Sequence, residues 1–239
     1  EMNRANRLGE GSVGRLLLEF SIPSIIAMLA NALYNVVDSV FVGRGVGPLA
    51  LTAVTIAFPI MILLMAFGML IGIGSTALIS IKLGQGNKHE AEKIFGNAVS
   101  SIVILGVALP IIMLLNLDPI LIVLGATPDV FDYAKQFTTI ILLGSVFQFI
   151  SFGINNIIRA EGNPLISMGT MLFSAVMNTI LNPLYIFVFH WGIKGSALAT
   201  VTTQILVSCY ILYHFTAGKG ILKIRKENLK IEWPMLKLS

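Results

Sequence analysis

Charge is scarce in this chain. Only 12% of its 239 residues are Asp, Glu, Lys or Arg, against about 25% in an ordinary soluble domain. The shortage is concentrated in long uncharged runs, and 56% of the chain is hydrophobic, which excludes a water-soluble fold and reads as an integral membrane protein. Cysteine is almost missing as well. Cys209 stands alone, so no intrachain disulfide exists, and inside an apolar run it reads as a small buried filler. His89, His190 and His214 are scattered, without the spacing of a metal site. There is no Walker loop, no Rossmann fingerprint and no G-x-S-x-G elbow, so this chain alone makes neither an ATP-driven pump nor a cofactor enzyme. Nor does the net charge of +4 imply a nucleic-acid partner, because the basic residues lie in loops at the ends of apolar segments.

Six such segments are present: Leu16–Val42, Ala50–Ile81, Glu90–Leu115, Asp129–Ile158, Leu165–Phe189 and Gly195–Phe215. Each reaches the ~20 residues that cross a hydrocarbon core, which predicts an all-α bundle of six transmembrane helices. Their short connections favour antiparallel hairpins between consecutive spans. One set of loops, at residues 4–15, 82–93, 159 and 219–237, holds thirteen Lys and Arg, whereas the other set holds Arg44, Lys135 and Lys194. By the positive-inside rule both termini are expected in the cytoplasm. The chain divides into a cytoplasmic segment 1–15, a membrane lobe 16–217 and a basic cytoplasmic linker 218–239. Trp191 suits an interfacial anchor.

A weak repeat at an offset of 147 relates Asn31 and Asn35 to Asn178 and Asn182, and Gly45, Ala50 and Val54 to Gly192, Ala197 and Val201. Parallel repeats of this kind occur in transporters. Gly68-x-x-x-Gly72 lets a second helix approach closely, and Pro23, Pro59 and Pro110 each remove a helix hydrogen bond inside a span. The turns around Gly86-Asn87 and Gly162-Asn163-Pro164 read as helix breaks with an N-terminal restart.

Asp38 is the carboxylate that matters most, since an acid inside a membrane span normally faces a polar cavity and marks an ion or proton site. Asn31, Tyr34, Asn35 and Asp38 share one face of the first span at 3.6 residues per turn. Asn178 and Asn182 lie one turn apart on the fifth span, Thr200, Thr203 and Gln204 on the sixth, and Gln148, Asn155 and Asn156 on the fourth. One carboxylate among amide and hydroxyl oxygens suits Na⁺ as a hard cation or a proton on a desolvated acid. The asparagines serve interhelical hydrogen bonding equally well, and Asp38 lies close enough to the end of its span to reach interfacial water.

Several stretches, in this order across six spans, carry a family likeness: Asp38-Ser39-Val40-Phe41-Val42-Gly43, Ile81-Lys82-Leu83-Gly84-Gln85-Gly86-Asn87, Arg159-Ala160-Glu161-Gly162-Asn163-Pro164, Asn178-Thr179-Ile180-Leu181-Asn182-Pro183 and the run Gly192 to Thr200. The chain resembles the amino-terminal half of a bacterial multidrug and toxic compound extrusion (MATE) transporter over essentially its whole length. The resemblance implies the first lobe of a twelve-helix exporter in the bacterial plasma membrane. Such an exporter moves amphipathic, cationic compounds against inward H⁺ or Na⁺, and needs no other cofactor. It further implies that Asp38 carries the coupling ion, with Asn155, Asn178, Asn182 and Thr200 as partners, Tyr34 nearby and Pro23 as the bend of the first helix. Many relatives hold a second acid where Asn182 stands, so a one-charge site is expected. The implied partners are the lipid bilayer, the small-molecule substrate and a second six-helix lobe of a longer protein. A lipid-linked precursor flippase and a non-transporting membrane scaffold are the alternative readings.

Overall fold

A computed structural model of the chain describes residues 13–216 and 220–223; the terminal segment and the linker expected at 1–15 and 218–239 lie mostly outside them. The described residues form no strand. The helices are α1 (Val13–Gly45), α2 (Pro48–Gly84), α3 (Lys88–Leu115), a short α4 (Leu117–Val123), α5 (Pro128–Phe149), α6 (Asn155–Ala160), α7 (Pro164–Pro183) and α8 (Gly192–Thr216). Among them, six spans are long and apolar enough to cross a bilayer. Their ends match those of the six expected segments to within five residues, although α4 had no warning in the hydropathy pattern.

Local chemistry places the boundaries. Pro48, Pro128 and Pro164 each open a helix, where the missing N–H costs nothing. Asn87 caps α3 by accepting the Glu90 N–H at 3.2 Å. Gly86 and Gly162, with φ of 73° and 78°, take the left-handed conformation that ends the preceding helices.

Two spans are interrupted. The fourth, Pro128–Ala160, widens into a π-helical turn at Ile150–Ile154 between α5 and α6. There Ser208 Oγ on α8 donates to the Phe147 carbonyl at 2.8 Å. The fifth span widens at Leu184–Val188, directly after Pro183, whose ring nitrogen has no hydrogen to give the preceding turn.

The bundle is not built from consecutive hairpins throughout, as the short connections predict. α2 pairs with α3, but α1 touches its sequence neighbour α2 little and packs chiefly along α7. The fourth span is the centre, with 56% of its most apolar stretch buried, against 6% for the first span. A two-residue link fixes only that two helices run in opposite directions; side-chain complementarity chooses the partner. The repeated hairpins therefore pack differently, since α7 and α8 adjoin while α1 and α2 barely do. Cys209, expected as a buried filler, instead faces outward, toward the side that lipid would occupy.

Buried polar side chains point into the bundle as lipid avoidance requires: Gln148, Asn155, Thr170, Asn178, Asn182, Ser196, Thr200 and Thr203 are all buried. Close approach around the π turn depends on glycine. A Cβ on Gly72 would lie 2.8 Å from the Gly153 Cα, while one on Gly74 would meet nothing within 4 Å. Gly72 is thus the most tightly packed of the glycine-rich stretch, while a Cβ on Gly68 would meet the Phe149 Cα at an ordinary 3.6 Å.

Near the turn between α6 and α7, Glu161 is buried outside the spans. Its Oε1 accepts the Leu222 N–H at 2.6 Å and its Oε2 pairs with His214 Nε2 at 3.2 Å. Burial raises the Glu161 carboxyl above the ordinary glutamate range, against the pull of the Leu222 N–H and His214.

Gly72→Ala lowers stability by about 1–3 kcal/mol through overpacking, whereas Gly74→Ala is near neutral; thermal unfolding in detergent separates them. The raised Glu161 means that the folded chain holds a proton longer than the unfolded one. Stability from this group is therefore full below the ordinary glutamate pKa and declines as pH rises through the folded value. Glu161→Gln removes that slope, as unfolding followed across pH would show.

Candidate functional site

Three helices converge on Asp38. It lies in the latter half of α1, and its Oδ1 accepts hydrogen bonds from Asn182 Nδ2 of α7 and from Ser196 Oγ of α8, the latter at 3.2 Å. The network continues inward. Asn182 Nδ2 also donates to Asn178 Oδ1 at 3.3 Å, Asn178 Nδ2 to Thr200 Oγ1 at 3.3 Å, and Tyr34 OH meets the same Thr200 Oγ1 at 3.3 Å. Helical spacing explains the alignment: Tyr34 and Asp38, Asn178 and Asn182, and Ser196 and Thr200 are each four residues apart on one helix face.

Asp38 is the only Asp, Glu, Lys or Arg in this network. Asn182 is fully buried, and its Oδ1 has no hydrogen-bond partner among the described residues. A buried acceptor without a partner is costly, so a neutral oxygen stands unused next to a carboxylate. Together with Ser196 Oγ, this is an oxygen-rich corner of one formal charge, chemically suited to a proton or a small hard cation.

The site borders a cavity of ≈ 610 Å³ between α1, α2, α5 and α8, whose wall includes Asn35, Asp38, Phe58, Met61, Phe137 and Thr200. Arg44 also lines it, exposed at the end of α1. Of the expected residues, Tyr34, Asp38, Asn178, Asn182 and Thr200 are brought together. Asn155 is not bonded to Asp38; it accepts from Thr170 Oγ1 at 2.9 Å and lines a separate cavity that Tyr34 also borders. Asn35 faces the larger cavity, and the Asn31 side chain lies outside the described residues. Ser196 was not anticipated, and its signal was its place one turn before Thr200. Pro23 is buried, and α1 continues through it as one helix.

This arrangement has relatives. The MatE family model matches residues 23–184. The chain belongs to the MATE family. It is 28% identical over 221 residues to the multidrug export protein MepA of Staphylococcus haemolyticus (strain JCSC1435), covering 92% of this chain and 49% of that protein. A MATE transporter solved in the straight conformation superimposes with a TM-score of 0.89 at 27% identity, covering 97% of this chain and 52% of that one. For a MATE transporter in the bent conformation the TM-score is 0.86 at 26% identity, with coverage of 92% and 49%. This chain thus spans about half the length of the relatives it matches, as one six-helix lobe of the MATE fold. It is a multi-pass membrane protein of a transporter family, not an enzyme.

The geometry ranks the Asp38 partners. Ser196→Ala removes one donor and costs about 1 kcal/mol, whereas Asn182→Ala removes a donor to a charged acceptor and the bond to Asn178, costing roughly 2–3 kcal/mol. Thermal unfolding of the two variants in detergent gives the order.

Proposed function

We propose that this chain is the first lobe of a secondary-active exporter that extrudes amphipathic, cationic compounds in exchange for H⁺ or Na⁺. The observation that carries this reading is Asp38, a single carboxylate held by Asn182 and Ser196 beside the unused Asn182 oxygen and next to a cavity of drug-sized volume. The multidrug export activity named for its relative supports the cargo class. The half-length match supports a second lobe completing the transporter. The excess of Lys and Arg on one set of loops supports a plasma-membrane orientation with both ends of this lobe in the cytoplasm.

The proposed mechanism is alternating access. A cation binding at Asp38 competes with the Asn182 and Ser196 donors, which are the links joining α1 to α7 and α8 at this depth. α1 is the least buried span, so a bend near Pro23 disturbs little else. Movement of α1 toward α2 narrows the cavity between them and lowers substrate affinity. The ion shifts the equilibrium only by the difference in its affinity for the two states. With Asn182 in place of a second acid, one charge drives the change.

Neutralising Asp38 is therefore expected to abolish coupling. In vesicles containing the full-length protein, Asp38→Asn should reduce efflux of a fluorescent organic cation to the protein-free level under an imposed pH or Na⁺ gradient, and the gradient that drives the native protein names the ion. Undiminished gradient dependence in the variant would falsify this reading. Efflux from neither protein would favour a lipid-precursor flippase or a scaffold.

A further inference from the structure

Among the described residues, Tyr34 alone borders both the wide cavity and a second, smaller one. On one side lies the wide cavity with Asp38. On the other is a chamber of ≈ 50 Å³ walled by Ser151, Asn155, Thr170, Ser174 and Gln204 among apolar neighbours. We infer that Tyr34 is a gate, and that this chamber is the water-lined passage by which the coupling cation leaves Asp38 for the opposite end of the bundle. The inference rests on the reading of Asp38 as the coupling site.

Size limits what the chamber can take. Drug-sized pockets measure roughly 300–1,000 Å³, so a substrate does not fit. A water needs roughly 10–15 Å³ and two to four polar partners, so a few waters, or a partly hydrated H⁺ or Na⁺, do. The wall is chemically prepared for them. Ser151, Asn155 and Thr170 are buried, and the side chains of Ser174 and Gln204 bond no described residue, leaving hydroxyl and amide groups free to solvate a cation.

Position gives the direction. Thr170 and Ser174 lie on α7 between Asn178 of the site and the turn at 161–163, so the chamber continues from Asp38 away from the outer residues Asn182 and Ser196. Its shape comes from the π turn at Ile150–Ile154, which supplies Ser151 and Phe152 to the wall. Ser151 Oγ is in turn fixed by Ser208 Oγ at 3.2 Å on α8. Between the two compartments stands the Tyr34 ring, tethered by its hydroxyl to Thr200 Oγ1 at 3.3 Å. Because Thr200 also receives Asn178 of the Asp38 network, rearrangement around the carboxylate reaches the tether directly. A gate here keeps the two sides of the membrane from connecting through the ion site when no substrate is exchanged.

The test uses the full-length protein in vesicles, on a Cys209→Ala background. The probe is Ag⁺, a thiol-binding cation close in size to Na⁺ and so able to enter the chamber, added on the side to which the wide cavity opens, with loss of the free thiol as the readout. Ser174→Cys should react faster when Tyr34→Phe is added, by roughly 2- to 10-fold, the population shift that one net hydrogen bond commands, and faster still with Tyr34→Ala. Ser39→Cys, in the wide cavity, should react alike in all three, which also shows that each variant is folded. In parallel, dyes for H⁺ and Na⁺ should report substrate-free cation flux through Tyr34→Phe that Asp38→Asn abolishes. Equal Ser174→Cys rates with and without Tyr34, or no substrate-free flux, overturn the gate even when Asp38→Asn has lost coupling. Coupled efflux that survives Asp38→Asn overturns the coupling site and the passage together.

Discussion

A carboxylate placed at membrane depth has to be satisfied by protein, because the hydrocarbon around it offers nothing. In this lobe that requirement falls on Asp38, and much of the architecture answers it. Two donors from two different helices reach one oxygen of the carboxylate. Meeting that geometry draws α1 against α7 and toward α8, and away from its sequence neighbour α2. The space left between α1 and α2 becomes the wide cavity.

The same requirement continues one layer deeper. Each amide or hydroxyl that serves Asp38 must have its own remaining groups accounted for, and the chain Asn182, Asn178, Thr200, Tyr34 does so across three helices. Among the described residues, one buried atom of this network is left without a partner, the Asn182 Oδ1. A network that is complete except beside its only charge is poised to gain from a cation. Cation binding and the packing of α1 are therefore physically linked through shared atoms rather than through distance.

Around this network the central fourth span departs from regular helix. Its π turn needs two accommodations, the Ser208 hydroxyl that meets the Phe147 carbonyl and the bare Gly72 surface that lets α2 approach Gly153. Both are local, and the turn they accommodate supplies Ser151 and Phe152 to the wall of the small chamber. The irregular segment thus lies next to the site and is held there by ordinary packing.

The amino-acid sequence by itself determined the class and the inventory. Scarcity of charge and runs of ~20 apolar residues leave only membrane helices as a solution, and prolines and glycines mark where those helices start and stop. Four-residue spacing put Tyr34 with Asp38 and Asn178 with Asn182, because a helix face is a property of one segment. Tertiary structure alone decided what crosses between segments: the pairing of α1 with α7, the arrival of Ser196 at Asp38, the separation of Asn155 into another cavity, and the burial of Glu161 against Leu222. Each of these depends on how side chains of distant helices fit together. That fit is set by shape and by the need to satisfy every buried polar group, and neither has a period that can be read along the chain.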